Sequence, residues 1–88
     1  MLNLRFTNQF KNDFKLAQKR GYDLSEFAAI VNKLRAGEPL EPKYTDHPLA
    51  NNWKNHRDFH LHPYLVVIYC IKETEIILEM VRMDSHSD

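Results

Sequence analysis

Eighty-eight residues suffice for one domain, over 1–88, with a single modest core. Twelve basic and twelve acidic side chains cancel to a formal net charge of zero, so the strongly basic balance of a typical nucleic-acid binder is absent. One cysteine excludes an internal disulfide, and with no signal segment and no apolar run of about 18 residues the chain is expected in the cytoplasm, away from membranes.

Residues 2–6 alternate apolar and polar, the period of a half-buried strand. Thr7 or Asn8 can cap a helix over 8–20, in which Phe10, Phe14 and Ala17 form one apolar stripe and Gly21 supplies the left-handed stop. Asp23 and Glu26 stand at capping-box spacing ahead of a second helix. Its stripe is Leu24, Phe27, Ala28, Val31 and Leu34, and Gly37 and Pro39 end it. The two stripes form a helical hairpin that needs a sheet to cover it.

Residues 38–52 hold three prolines and no periodicity, which reads as a long loop, ordered or mobile, of a length that is usually functional or disordered. Residues 57–62 alternate, with Phe59 and Leu61 on one face and Asp58, His60 and His62 on the other. Residues 65–71 are almost continuously apolar, as in a central strand, and Cys70 within them reads as an inert buried thiol. A last strand covers 75–83. The expected fold is α+β in the order β-α-α-β-β-β: a small, mostly antiparallel sheet, a helix hairpin on one face, the other face free.

Four of the five histidines and the only tryptophan fall within 46–69. Between 43 and 57, Lys43, Lys54 and Arg57 are opposed by Asp46 alone, so a neutral chain can still carry a basic face. Histidine is the usual acid–base residue at neutral pH, and His60 on the polar side of a strand is presented to solvent or substrate. His56, His60 and His62 raise a metal site as a rival. There is no cysteine pair and no helical His-Glu-x-x-His, so neither a metal nor another cofactor is expected. The only glycines, Gly21 and Gly37, are helix terminators, so no phosphate-cradling loop exists, and no serine sits in a nucleophile elbow.

What remains is acid–base chemistry on a phosphodiester whose own 2′-hydroxyl is the nucleophile. That reaction needs histidines and cations on one surface, and neither a metal nor a protein nucleophile. The inventory fits: His47, His60 and His86, with Lys54, Arg57 and Arg82, and with Trp53 and Tyr64 as aromatics on which bases can stack.

The series Asp46-His47-Pro48-Leu49, Trp53-Lys54, Arg57-Asp58-x-His60 and Arg82 through His86, preceded by 15–20 in the first helix, resembles the RelE-type bacterial toxins of the YafQ subgroup. The likeness covers nearly the whole chain. It implies a RelE-like sheet with two helices on one face, and an mRNA interferase that cuts translated mRNA on the ribosome. It also implies a cognate antitoxin, a small protein encoded adjacently, that silences the toxin. By position it makes His47, His60 and His86 the catalytic histidines and sets Arg82 near the scissile phosphate. It gives Lys54 and Arg57 either a structural or a phosphate-binding role. Tyr64 and Leu65 stand where the subgroup has an acidic residue followed by an aromatic. The alternative is a catalytically weakened member that binds antitoxin or ribosome without cutting.

Overall fold

Alternating and helical stretches of the sequence settle into two layers in the computed structural model, which describes residues 1–85. The order is β1 (Asn3–Phe6), α1 (Asn8–Lys19), α2 (Phe27–Arg35), β2 (His47–Pro48), β3 (Arg57–His62), β4 (Leu65–Lys72) and β5 (Ile77–Ser85). The strands form one sheet in the order β1-β5-β4-β3-β2, parallel only between β1 and β5. The apolar strand β4 is central, and the last three long strands form the expected meander. The two-residue β2 is an addition. The proline-rich segment read as a loop contributes a fifth strand, plus short 3-10 turns at Pro42–Tyr44 and Asn51–Trp53.

The helix ends follow from local chemistry. Thr7 Oγ1 accepts the Phe10 amide at 3.0 Å and caps α1. Past its end, Tyr22 N–H reaches Ala17 C=O and Gly21 N–H reaches Gln18 C=O, with Gly21 at φ +82°. The capping box expected at Asp23 does not form. Asp23 Oδ1 instead accepts the Ser25 amide two residues on, and α2 starts only at Phe27. Glu26 is drawn away to accept the Tyr44 hydroxyl. The buried stripe of α2 is Phe27, Ile30, Val31 and Leu34, with Ala28 exposed.

The core lies between the helices and one sheet face. Phe10, Ala17, Phe27, Ile30, Val31 and Leu34 pack against Phe59, Leu61, Leu65, Val67, Tyr69, Leu78, Met80 and Met83. Side chains on a strand alternate between faces, so Asp58, His60, Val66 and Ile68 lie on the side away from the helices.

Two bulges break the alternation and decide which residues reach that outer face. In β5, Ile68 pairs with Arg82 but Tyr69 pairs with Met80, leaving Val81 as the extra residue. Uninterrupted alternation from Leu78 and Met80 would send Arg82 into the core. With Val81 absorbed, Arg82 and Asp84 face outward and Met83 turns in. In β3, His60 pairs with Val66 and His62 with Leu65, so Leu61 is the extra residue. His62, expected beside His60, is thereby turned to the helix side. There it stacks on Tyr22 and contacts the Asp23 carbonyl.

Candidate active site

The outer face carries the site in two rows fixed by strand register. One row runs His47, Asp58, Ile68, Arg82 across β2, β3, β4 and β5, and the next runs His60, Val66, Asp84. At about 4.8 Å per strand, Arg82 sits about 10 Å from Asp58 in the sheet.

His47, Asp58 and His60 converge, with one donor atom of each within 4.8 Å of the others. His47 Nε2 lies 2.8 Å from Asp58 Oδ1. That contact has ion-pair distance without hydrogen-bond alignment, and Asp58 Oδ1 has no hydrogen-bond partner among the described residues. The other ring nitrogen of His47 faces the Pro48 carbonyl at 3.1 Å. Asp58 is 8% exposed, so its carboxylate is largely desolvated and faces two imidazoles. Sequence reading placed Asp58 on this face but missed it as a site residue. The signal was available, since it lies two residues before His60 on the same side of the strand.

A groove of about 280 Å³ runs over this face, lined by Leu49, Trp53, Asp58, Val66, Ile68, Arg82 and Asp84. Trp53 overlooks it from the loop joining β2 to β3, which Leu49 N–H closes onto His56 C=O at 2.9 Å. Trp53 meets His56 edge-on at 5.3 Å between ring centres. A second groove flanks His60 on the free edge of β3, beyond the short β2, and there Lys43, Tyr44 and Thr45 face it.

The remaining candidates are distributed differently. Arg57 is on the opposite parity from Asp58, and its Nε donates to Asp46 Oδ1 at 3.2 Å. The Tyr69 hydroxyl donates to the same oxygen at 2.7 Å. Asp46 thereby ties Arg57 and Tyr69 to the segment that precedes β2. Lys54 is exposed in the β2–β3 loop, and Tyr64 is 64% exposed at the β3–β4 turn. Arg82 Nε donates to Asp13 Oδ2 at 2.9 Å. His86 lies outside the described residues; β5 runs up to Ser85, opposite Leu65. Of the donors first considered for a metal, His56 turns to the Lys54 carbonyl and His62 to the helix side. Among the described residues, the donors that do converge are His47, Asp58 and His60.

The fold is that of a RelE-like α+β domain. Residues 2–88 match the family described as bacterial toxin of type II toxin–antitoxin system, YafQ. The chain belongs to that family. It is 36% identical over 86 residues to the mRNA interferase toxin YafQ of Escherichia coli, covering 97% of this chain and 91% of the relative. Among solved structures it is similar to a metal-bound toxin from Helicobacter pylori, with TM-score 0.90, 41% identity, and 98% and 96% of the two chains covered. It is also similar to YafQ in the E. coli DinJ–YafQ complex, with TM-score 0.85, 33% identity, and 98% and 94% covered. No helix among the described residues is long and apolar enough to cross a membrane.

Proposed function

We propose that this protein is the toxin of a type II toxin–antitoxin pair and an endoribonuclease that cleaves mRNA on the ribosome by attack of the RNA's own 2′-hydroxyl. The observation that carries this reading is the convergence of His47, Asp58 and His60 on the face that also presents Arg82 and Trp53.

His60 and His86 act as the acid–base pair and His47 supports them. One removes the 2′-hydroxyl proton, the oxygen attacks phosphorus in line, and the other protonates the departing 5′-oxygen. The products are a 2′,3′-cyclic phosphate and a 5′-hydroxyl. Arg82 stabilises charge on the phosphorane, as guanidinium groups do for developing anions. Trp53 and Tyr64 stack on splayed bases, and Lys54 binds phosphate. The toxin partner, by analogy with the DinJ–YafQ assembly, is a cognate antitoxin.

A second reading is favoured by the same donors. Two imidazoles, a buried carboxylate and an open side make a fair set for a divalent transition metal. Such an ion would polarise a bound water for direct hydrolysis, which leaves no cyclic phosphate. On the first reading such an ion would compete with proton transfer, since it would occupy the imidazole lone pairs.

Primer extension on mRNA from expressing cells, with end-group analysis of the fragments, separates the two. The nuclease reading expects ribosome-dependent cuts that persist with chelator, end in cyclic phosphate, and vanish in His60→Gln. Chelator-sensitive cuts lacking the cyclic end support the metal reading. Antitoxin binding with no cuts would leave a binding module only.

A further inference from the structure

Arg82 is held from outside the site face. Its Nε donates to Asp13 Oδ2 at 2.9 Å, and the same oxygen accepts the Met83 amide at 3.0 Å. The other carboxylate oxygen accepts Gln9 Nε2 at 2.9 Å. Asp13 belongs to α1, 69 residues away in sequence, and its side chain is 10% exposed against 38% for Arg82. We infer that Asp13 is the positioning residue for Arg82, gripping the guanidinium at Nε so that its two terminal amino groups are aimed at the RNA phosphate. The inference rests on the phosphate-stabilising role given to Arg82 above.

The sheet geometry makes this grip necessary. β1 pairs with β5 only from Ile77 to Met80, so the edge of β5 beyond Met80 has no strand beside it. Asp13 fills that place, taking the Met83 amide and the Arg82 side chain together. An arginine on a bulged, partly uncovered strand has many rotamers open to it, and a transition-state contact requires one of them.

A guanidinium offers donors along two edges. Asp13 uses the Nε side, and the terminal amino groups make no hydrogen bond among the described residues. Arg82 lines both the outer groove and a third groove, of about 240 Å³, between α1 and the end of β5, where Asp13 also lies. It therefore straddles the rim. Asp84, exposed in the outer groove, is the competing carboxylate. Without Asp13, the guanidinium can fold onto Asp84 and lose its aim. Burial opposes the charge on Asp13, but the Met83 amide, Arg82 and Gln9 outweigh it and hold the carboxyl below its ordinary pKa.

The test is cleavage of mRNA on programmed ribosomes by the purified full chain. Asp13→Asn keeps an oxygen for the Met83 amide and removes the charge. Loss of aim predicts a fall in kcat of about tenfold with KM changed by less than about twofold. Asp13→Glu, which restores the carboxylate, recovers part of the rate. In the Arg82→Ala background, Asp13→Asn costs no further loss, because it acts through Arg82. The Arg82 Nε–H NMR resonance, shielded from water exchange in the wild type, becomes exchange-broadened in Asp13→Asn, whether or not the variant is stable enough for kinetics. A wild-type rate and an unchanged resonance in Asp13→Asn would overturn the inference, as would an equal loss in both backgrounds. If Arg82→Ala itself cuts at the wild-type rate, the role of Arg82 falls first, and Asp13 has nothing to position.

Discussion

His47, on the two-residue strand β2, places Nε2 2.8 Å from Oδ1 of Asp58 on β3. The two residues are direct cross-strand partners, so the contact is set by sheet register rather than by loop conformation. An exposed histidine from an irregular segment is thereby fixed over the site.

That relationship leads to a prediction for Asp58. Asp58→Asn keeps the shape and removes the charge that His47 and His60 face. Cleavage is expected to fall about a hundredfold, at the lower end of what acid–base groups contribute. The melting temperature should stay close to wild type, because a buried carboxylate without an aligned hydrogen bond adds little to stability. Single-turnover cleavage and thermal unfolding on the same preparation check this, and a variant that cuts normally would remove Asp58 from the site.

Tyr69 gives an alkaline prediction. Its hydroxyl is buried and donates to Asp46, and burial, followed by that hydrogen bond and the carboxylate's charge, pushes its pKa well above the ordinary phenol value. A raised folded-state pKa means that the native state holds the proton more tightly. The stability this contributes is complete below about pH 10, the ordinary tyrosine pKa, and is lost as pH rises beyond it. Tyr69→Phe should remove that alkaline loss. At neutral pH it should cost about 1 kcal/mol for the hydrogen bond, or about 4–8 °C in Tm for a domain of this size. Denaturant melts at pH 8 and above pH 10 on both proteins provide the comparison.

Asp13 titrates at the other end of the scale. Its folded-state pKa is lowered, so the native state binds its proton more weakly than the unfolded chain does. Its contribution is present above about pH 4, the ordinary carboxylate value, and disappears as pH falls through the lowered folded value. Asp13→Asn should flatten the acid limb of the stability curve in that window. An unchanged acid limb, followed by circular dichroism, would show that Asp13 is not held as described.

Thr7 links α1 to the β5 bulge. Its Oγ1 accepts the Phe10 amide and donates to the Val81 carbonyl at 2.8 Å, while its amide meets Met80 C=O at 3.1 Å. Thr7→Ala should cost about 1–2 kcal/mol, the upper part of the range for losing a helix cap. It should also lower cleavage by loosening the strand that carries Arg82. Thr7→Ser, which keeps the hydroxyl, should restore both. Paired melts and rates decide, and an alanine variant with wild-type values for both would dismiss the link.

Periodicity made most of the fold legible. The stripe through Phe10 and Ala17, the alternation through Phe59 and Leu61, and the apolar run of β4 each lead to the layer that forms. Local competition hid the rest. Asp23 prefers its own Asx turn to a helix cap, and Glu26 is taken by Tyr44 from a distant segment. β2 is two residues long and includes a proline, so no period exists to find; only pairing with β3 makes it a strand. In the site, His60 was legible from alternation, while His47 stood in the inventory as a loop histidine until the family resemblance gave it a role. The separation of His62 from His60 depends on the Leu61 bulge, and the grip of Asp13 on Arg82 joins the two ends of the chain. No window of local sequence contains either relationship.

The bulge at Val81 carries one more consequence. β5 has nine residues and its neighbour β4 eight, so the odd and even places of β5 exchange roles partway along. The change can be seen in the spacing of Leu78, Met80 and Met83, where a step of two is followed by a step of three. What a residue in this strand does is therefore settled by counting from the break as much as by its chemistry. Losing a codon at Glu79 would swap core and surface for the residues on one side of it. Losing the codon for Val81 leaves both rows as they are, with the arginine still outward. It takes away the kink, and with it the Val81 carbonyl to which Thr7 donates.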